Sequence, residues 1–195
     1  MRKLKIIEHI SMDGVIQAGA DKDGGFPYGD WSAPYRSPAG LAMILADWGE
    51  QFDVLLGRRT YDMWSAFWPN APKSPMAERL NAATKYVATH RPESLAWGPA
   101  EGIGPDLVDG VRAIKSQEGP DIIVSGSSTL TSVLLEHGLA DELLLLVNPV
   151  LLGTGKRLFT EGTPARAFEL KSTRTSPTGI LVASYKPAGP LKNQG

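Results

Sequence analysis

Residues 122–134, IIVSGSSTLTSVL, decide how this chain reads. Ile122, Ile123 and Val124 form a short β-branched run, so Ile122 to Ser125 reads as a brief, fully buried strand of the kind found inside parallel sheets. Small residues follow, from Ser125 to Ser128. Leu130, Val133 and Leu134 then recur on one helical face, and Ser127 or Ser128 is a suitable N-cap. Strand, small-residue turn and helix together make a βα unit.

The same grammar extends upstream. Leu4 to His9 reads as a strand. Leu41, Ile44, Leu45, Trp48 and Phe52 recur at helical spacing. Asp53 to Gly57 is a second strand, with a helix from about Thr60, which is placed to cap it. Residues 75–83 read as helix and Lys85 to Thr89 as a third strand. Leu107, Val108, Val111 and Ile114 mark a further helix. Downstream of Gly138 the character changes. Glu142 to Asn148, Ala167 to Arg174 and Ile180 to Lys186 read as strands, the last two joined by the turn Ser176-Pro177-Thr178-Gly179. This order predicts an α/β fold. It is a three-layer αβα sandwich on a mixed, mostly parallel sheet with an antiparallel C-terminal hairpin. One domain is expected over residues 1–187, followed by a flexible Pro- and Gly-containing tail at 188–195. Ala18 to Ser37, rich in Gly, Asp and Pro with four aromatics, reads as a long loop, either functional or simply anchored by its rings.

Composition narrows the function classes. The 195 residues suit one core. A net charge of −1 creates no general field for nucleic acid or an anionic membrane. With no cysteine, disulfides, thiolate metal sites and cysteine nucleophiles are excluded. His9, His90 and His137 have no ligand spacing, so no protein-bound metal is expected. The opening residues lack the pattern of a signal peptide, and Leu143 to Leu152 is too short to span a membrane. A cytoplasmic protein with a small-molecule substrate is the expectation.

In open α/β sheets, ligands bind at the carboxyl ends of the strands. Four such ends carry suitable residues. Gly57-Arg58-Arg59-Thr60 offers a tight turn, a helix N-terminus and two guanidinium groups that match phosphate. Thr89-His90-Arg91 offers a hydroxyl, an imidazole and a third guanidinium. Ser125-Gly126-Ser127-Ser128 would let a pyrophosphate approach backbone amides. Gly153-Thr154-Gly155-Lys156 makes a turn that could line a cleft. It is no P-loop, because Val150 stands where the first Gly belongs and Arg157 where Ser or Thr belongs. Each segment also has a plain structural reading: a solvated Arg pair, a polar loop, a capped helix and a turn. No Gly-x-Gly-x-x-Gly follows the first strand, and no nucleophile elbow is present. An arginine pair near a ribose favours NADPH over NADH, since it accommodates the 2′-phosphate. Asp13 is the candidate proton source, with Asp30 and Asp47 behind it, although Asp13-Gly14 is also a natural turn. Trp31, Trp48 and Trp64 are candidate walls of a substrate space, with a core role favoured for Trp48.

These motifs together resemble a family. Ser11-Met12-Asp13-Gly14-Val15-Ile16 is similar to the opening of bacterial dihydrofolate reductase-like proteins. Gly57-Arg58-Arg59-Thr60-Tyr61, with Trp64 and Phe67-Trp68-Pro69, resembles their second signature. Ile122 to Phe159 resembles the end of the reductase domain of riboflavin biosynthesis. The match there includes Gly138-Leu139-Ala140-Asp141-Glu142-Leu143 and Pro149-Val150-Leu151-Leu152-Gly153. The resemblance implies a dihydrofolate reductase-like sandwich, a homodimer and NADPH as cofactor. It further implies that Arg58, Arg59 and Thr60 hold cofactor phosphates and that Thr89, His90 and Arg91 flank the adenosine. Ser125, Gly126, Ser127 and Ser128 would line the pyrophosphate, and Ile16 would touch the nicotinamide. The implied activity is reduction of a heterocyclic or carbonyl substrate, such as a ribosylamino-pyrimidine. Two departures stand out. Gly40 or Leu41 occupies the place where dihydrofolate reductases carry a helix acid, which disfavours folate reduction. The usual glycine pair after the pyrophosphate strand is Ser125-Gly126-Ser127. A nucleotide-binding protein without catalysis is the alternative, and a purely structural module the third reading.

Overall fold

The strand that comes first in this sequence lies at the centre of the sheet. In the computed structural model, which describes residues 1–18 and 25–192, β1 (Leu4–Ser11) pairs in parallel with β5 (Ile122–Val124) and β6 (Glu142–Asn148). Beyond β5 lie β2 (Asp53–Gly57), β3 (Lys85–Ala88) and β4 (Ala100–Ile103), all parallel. Beyond β6 the direction reverses. β8 (Leu181–Pro190) runs antiparallel to β6, and β7 (Arg166–Thr175) runs antiparallel to β8 at the edge. The order is β4-β3-β2-β5-β1-β6-β8-β7. The mixed sheet with its antiparallel finish is the one the sequence predicts.

Helices cover both faces. α1 (Pro38–Trp48), α2 (Arg58–Phe67) and α3 (Pro75–Ala82) supply Trp48, Tyr61 and Leu80 to one core cluster. α4 (Leu107–Ser116) and α5 (Ser128–Glu136) supply Val111, Ile114, Leu130 and Leu134 to the other. The strand alternation sorts β1 between them, with Leu4, Ile6 and Ile10 toward α4 and α5, and Ile7 toward α1. All three residues of β5 are fully buried. At about 1.5–3 kcal/mol per buried aliphatic side chain, this short strand contributes far more than its length suggests.

The amino ends of the strands are tied by buried polar contacts. The Arg2 guanidinium donates to the Pro120 carbonyl (2.6 Å) and the Tyr86 hydroxyl (3.1 Å), and pairs with the Asp53 carboxylate. Asp53 also accepts the Thr84 amide at 2.9 Å. Asp141 accepts the Leu4 amide and the Lys115 ammonium. These bonds fix one end of the sheet and leave the carboxyl ends to the loops.

Several boundaries differ from the sequence reading. α1 begins at Pro38 because Ser37 caps it, accepting the Gly40 amide, and it ends at Trp48 before Gly49 at φ 88°. Leu41 therefore faces outward, and Phe52 lies beyond the helix, edge-on to Trp48 at 4.9 Å. α2 starts at Arg58, with Gly57 as its cap residue, so Thr60 is inside the first turn and does not cap. β4 was not anticipated: its Ala-Glu-Gly-Ile has no apolar run and forms by pairing with β3. β8 runs through Pro190, into the stretch read as tail; residues 193–195 lie outside the described residues. So do residues 19–24 of the long loop. In the rest of that loop two rings act as anchors. Trp31 is buried and donates to the Gln17 carbonyl (2.6 Å), and the Tyr35 hydroxyl donates to the Pro149 carbonyl (3.3 Å).

Candidate functional site

The ends of β2 and β5 meet through one hydroxyl. Ser127 Oγ accepts the Gly57 amide at 3.2 Å and lies 2.9 Å from Thr60 Oγ1. A Cβ on Gly57 would come within 2.7 Å of that oxygen, so the approach needs glycine. Ser127 sits in the left-handed region (φ 68°) and makes no side-chain cap to α5. The expectation that it caps the helix is corrected, because its hydroxyl is turned toward β2 instead. The N-terminus of α5 is thus left uncapped beside Gly126, whose φ of 71° carries the turn past Thr60. An uncapped helix end with its dipole is an anion-binding environment.

Arg58 links this turn to β3. Its Nε donates to Asp62 (2.8 Å), and its Nη1 donates to Thr89 Oγ1 (3.3 Å), the Arg91 carbonyl (3.3 Å) and Ser94 Oγ (2.6 Å). Arg58 therefore orders the loop after β3, whereas the sequence reading gave it to phosphate directly. Arg59, one step along α2, is exposed. Thr89 and His90 line a hollow of about 240 Å³ with Pro92, Gly102, Gly104 and Pro105, at the carboxyl ends of β3 and β4.

On the other side of β1, the loop after β6 is held by Asp13. Its Oδ1 accepts the Ser11 hydroxyl (2.6 Å) and the Leu152 amide (3.2 Å), and its Oδ2 accepts the Gly153 amide (2.8 Å). Arg157 donates to the Asp13 carbonyl. The Ser11 hydroxyl, followed by the Leu152 and Gly153 amides, holds the carboxyl well below its ordinary value, at about 2. A carboxylate so fully engaged stays ionised at any physiological pH. Asp13, the candidate proton source of the sequence reading, forms a clasp between two loops in the structure. Its effect is present above the ordinary aspartate pKa and is lost only as pH falls through about 2. In Asp13→Ala, the Leu152 and Gly153 amides should exchange with solvent faster by about tenfold or more, read by hydrogen–deuterium exchange. Unchanged exchange would remove the clasp.

The same loops bring Gly155 against Val15 and Phe26, where a Cβ would approach within 2.6 Å and 2.8 Å. Ile16 donates its amide to the Lys156 carbonyl (2.8 Å) and is half-buried against the α4–α5 cluster. Asp30 pairs with Arg36 at 2.5 Å, and Asp47 pairs with Arg174. Trp48 belongs to the core; Trp64 stacks edge-on with Trp68.

Two residues of β1 were not anticipated as site residues. Glu8 is buried, its Oε1 has no partner, and burial pushes its carboxyl up to about 8 against a smaller opposing effect of the Gly126 amide. His9 faces the α1 side. Burial, followed by the Arg36 charge, holds it down at about 4, with Asp30 opposing, so the ring is neutral at pH 7. Its Nδ1 lies 3.5 Å from the buried Asn148 amide. The signal for both was the pair of polar residues inside an apolar strand, Ile7-Glu8-His9-Ile10.

Comparison with known proteins places this geometry in a family. The model of the RibD C-terminal domain matches residues 3–182. YyaP of Bacillus subtilis, named an uncharacterized protein, is 29% identical over 149 residues, covering 73% of this chain and 78% of that protein. Among solved structures, the diaminohydroxyphosphoribosylaminopyrimidine deaminase/5-amino-6-(5-phosphoribosylamino)uracil reductase of Thermotoga maritima superposes with a TM-score of 0.66 at 14% identity. That match covers 96% of this chain and 57% of the other. Dihydrofolate reductase from Enterococcus faecalis, solved with NADP(H), superposes with a TM-score of 0.61 at 15% identity over 95% of this chain and 96% of its own. At these identities the structural matches speak for the fold, while the family model spans nearly the whole sequence: the chain belongs to the RibD C-terminal domain family.

Proposed function

We propose that the protein is an NADPH-dependent reductase of a small heterocyclic or carbonyl compound. The observation that carries this reading is the meeting of Gly57, Thr60 and Ser127 beside the uncapped N-terminus of α5. The local chemistry fits the cofactor: small residues, open first-turn geometry and no acidic side chain in the first turn of α5 or α2. Ser125, Gly126, Ser127 and Ser128 would hold the pyrophosphate, with Gly57 and Thr60 closing the turn. Arg59 would meet the 2′-phosphate, and Thr89, His90 and Arg91 the adenosine end, with Arg58 holding that loop in place. Ile16, Gly153 and Gly155 would border the nicotinamide end. When bound, NADPH supplies the hydride. The chain's part is to orient the reactants and exclude water. The dihydrofolate reductase whose fold this chain shares holds NADP(H) in its own structure, which supports this cofactor.

The substrate side is assigned to the α1 face of β1, where His9, Asp30, Ser32 and Arg36 gather. The neutral His9 ring can donate from one nitrogen and accept at the other, which suits orientation of a polar heterocycle. A 5-amino-6-(5-phosphoribosylamino)uracil-like compound is the first candidate to assay. No acid lies in the first turn of α1, which favours nucleotide binding without turnover as the second reading. Turnover separates the two. Homodimer formation is also proposed; the open edge at β7, with Leu170 exposed, supports it. Among the described residues, no helix is long and apolar enough to cross a membrane.

Titration with NADPH and NADH, followed by nicotinamide fluorescence, tests the reading. NADPH should bind tighter by tenfold or more, about 1.4 kcal/mol, and Arg59→Ala should remove that preference with the fold intact. Binding of neither nucleotide would end the reductase reading.

A further inference from the structure

The phosphate cradle has a carboxyl beneath it. β1 and β5 run in parallel with Ile6 opposite Val124, so two residues on, Glu8 lies level with Gly126. Alternation turns Glu8 to the same face as Leu4, Ile6 and Ile10, under α5. The side chain is 4% exposed. The Gly126 amide is its polar neighbour, and Oε1 is unpartnered. Two independent features therefore converge on one turn: a helix N-terminus without a cap, and a buried carboxyl with one oxygen that has no hydrogen-bond partner among the described residues.

Among the described residues, the surroundings of Glu8 hold no opposite charge. Val124 from β5, Leu145 and Val147 from β6, and Leu130 from α5 belong to the apolar cluster on this face. The first turn of α5 carries no acidic side chain. On α4, Lys115 is committed to Asp141 at the amino end of the sheet. On β1 itself, Lys5 and His9 face the other side, where His9 meets Arg36 and Asp30. Arg58 and Arg59 of α2 lie across the Gly57–Ser127 contact, and Arg58 is hydrogen-bonded to Asp62, Thr89 and Ser94. An ionised Glu8 would thus face the incoming phosphates with no cation paired to it among the described residues. Charges of like sign within several ångströms in a buried setting repel strongly.

We propose that Glu8 is a positioning residue that gates the cradle: its protonated carboxyl supports the Gly126 turn, and loss of that proton to solvent excludes the nucleotide's phosphates. The inference rests on the NADPH reading above and adds a regulator to that site. Binding and ionisation are linked in both directions. A nucleotide that binds the protonated form must raise the carboxyl's affinity for its proton by the same factor.

The test compares NADPH affinity of the full chain and of Glu8→Gln from about pH 7 to about pH 9.5, a range that lies above titration of the 2′-phosphate. Wild-type affinity should fall by about tenfold or more across it, while Glu8→Gln, which keeps a neutral group of the same shape, should stay flat. Carbon-13 NMR of the glutamate carboxyls gives a second measurement that needs no variant to fold. The Glu8 signal should titrate above pH 7 in the free protein, and about one pH unit or more higher with NADPH bound. Parallel pH profiles in wild type and Glu8→Gln, or a Glu8 signal that NADPH leaves unmoved, would overturn the gate and leave the cofactor reading standing. Absence of NADPH binding at every pH would overturn both.

Discussion

Glu8→Gln should be more stable than wild type at pH 8, by a margin that opens as pH rises. In the unfolded chain the Glu8 carboxyl releases its proton near 4.5; in the folded protein it keeps it until about 8. Between those values the folded state binds a proton that the unfolded state has lost. Raising pH therefore favours unfolding across that window, and the effect levels off above about 8. A rise from 4.5 to about 8 corresponds to roughly 5 kcal/mol, a large share of the stability of a typical domain. The amide of Gln has no such titration and can still face the Gly126 amide with its oxygen. Urea denaturation at pH 5 and at pH 8 reads the difference directly. Wild type should lose midpoint concentration between the two relative to the variant. Identical slopes against pH would mean that Glu8 ionises in the folded state near its ordinary value, and that water reaches it.

Asp53→Ala should be among the most damaging single changes in the molecule, although it lies far from the cradle in the fold. The paired side chains of Arg2 and Asp53 are 2% and 11% exposed. Truncating the acid leaves a buried guanidinium whose remaining hydrogen-bond partners, among the described residues, are the Pro120 carbonyl and the Tyr86 hydroxyl, and it also strips the Thr84 amide of its acceptor. Breaking one side of a buried ion pair costs about 3–5 kcal/mol. Replacing both charges, as in Arg2→Met with Asp53→Leu, should recover most of that loss, since the desolvation penalty disappears with the charges. Chemical denaturation of the two single variants and the double variant gives the coupling. A loss below about 1 kcal/mol in Asp53→Ala would show that the pair behaves as a solvated one. Under conditions where Asp53→Ala is folded, NADPH affinity should be unchanged, because the pair acts at the amino ends of the strands.

How far these features could be read in the sequence depends on what fixed them. β5 and β6 were legible because their uninterrupted apolar residues fit the interior of a sheet. β4 was not, since Ala100, Glu101 and Gly102 carry no apolar pattern and the strand owes its existence to the free edge of β3. The cradle segments were legible as residue types at strand ends. Their internal wiring was not. That Ser127 would turn to Gly57 rather than cap α5 depends on a backbone in the left-handed region. That Arg58 would bind Thr89 and Ser94 depends on how closely β3 sits to β2. Asp13 was legible as a turn residue and as an acid; only the arrival of Leu152 and Gly153 decided between the two. Glu8 and His9 were visible as polar residues in an apolar strand, but strand pairing alone assigns one to the cradle and the other to the α1 face.

The central position of β1 has a consequence for synthesis. Its partners are residues 122–124 and 142–148, so this strand leaves the ribosome more than a hundred residues before either of its edges can be covered. At the usual pace of elongation that delay is on the order of ten seconds. During it, an apolar strand with two open edges is exposed to other nascent chains. Glu8 and His9 then have a second effect: as ionisable residues in the middle of Ile6-Ile7-Glu8-His9-Ile10, they interrupt an apolar segment that could otherwise stack on a copy of itself. The same carboxyl that the finished fold buries at a cost is, in the growing polypeptide, a charged gatekeeper against aggregation.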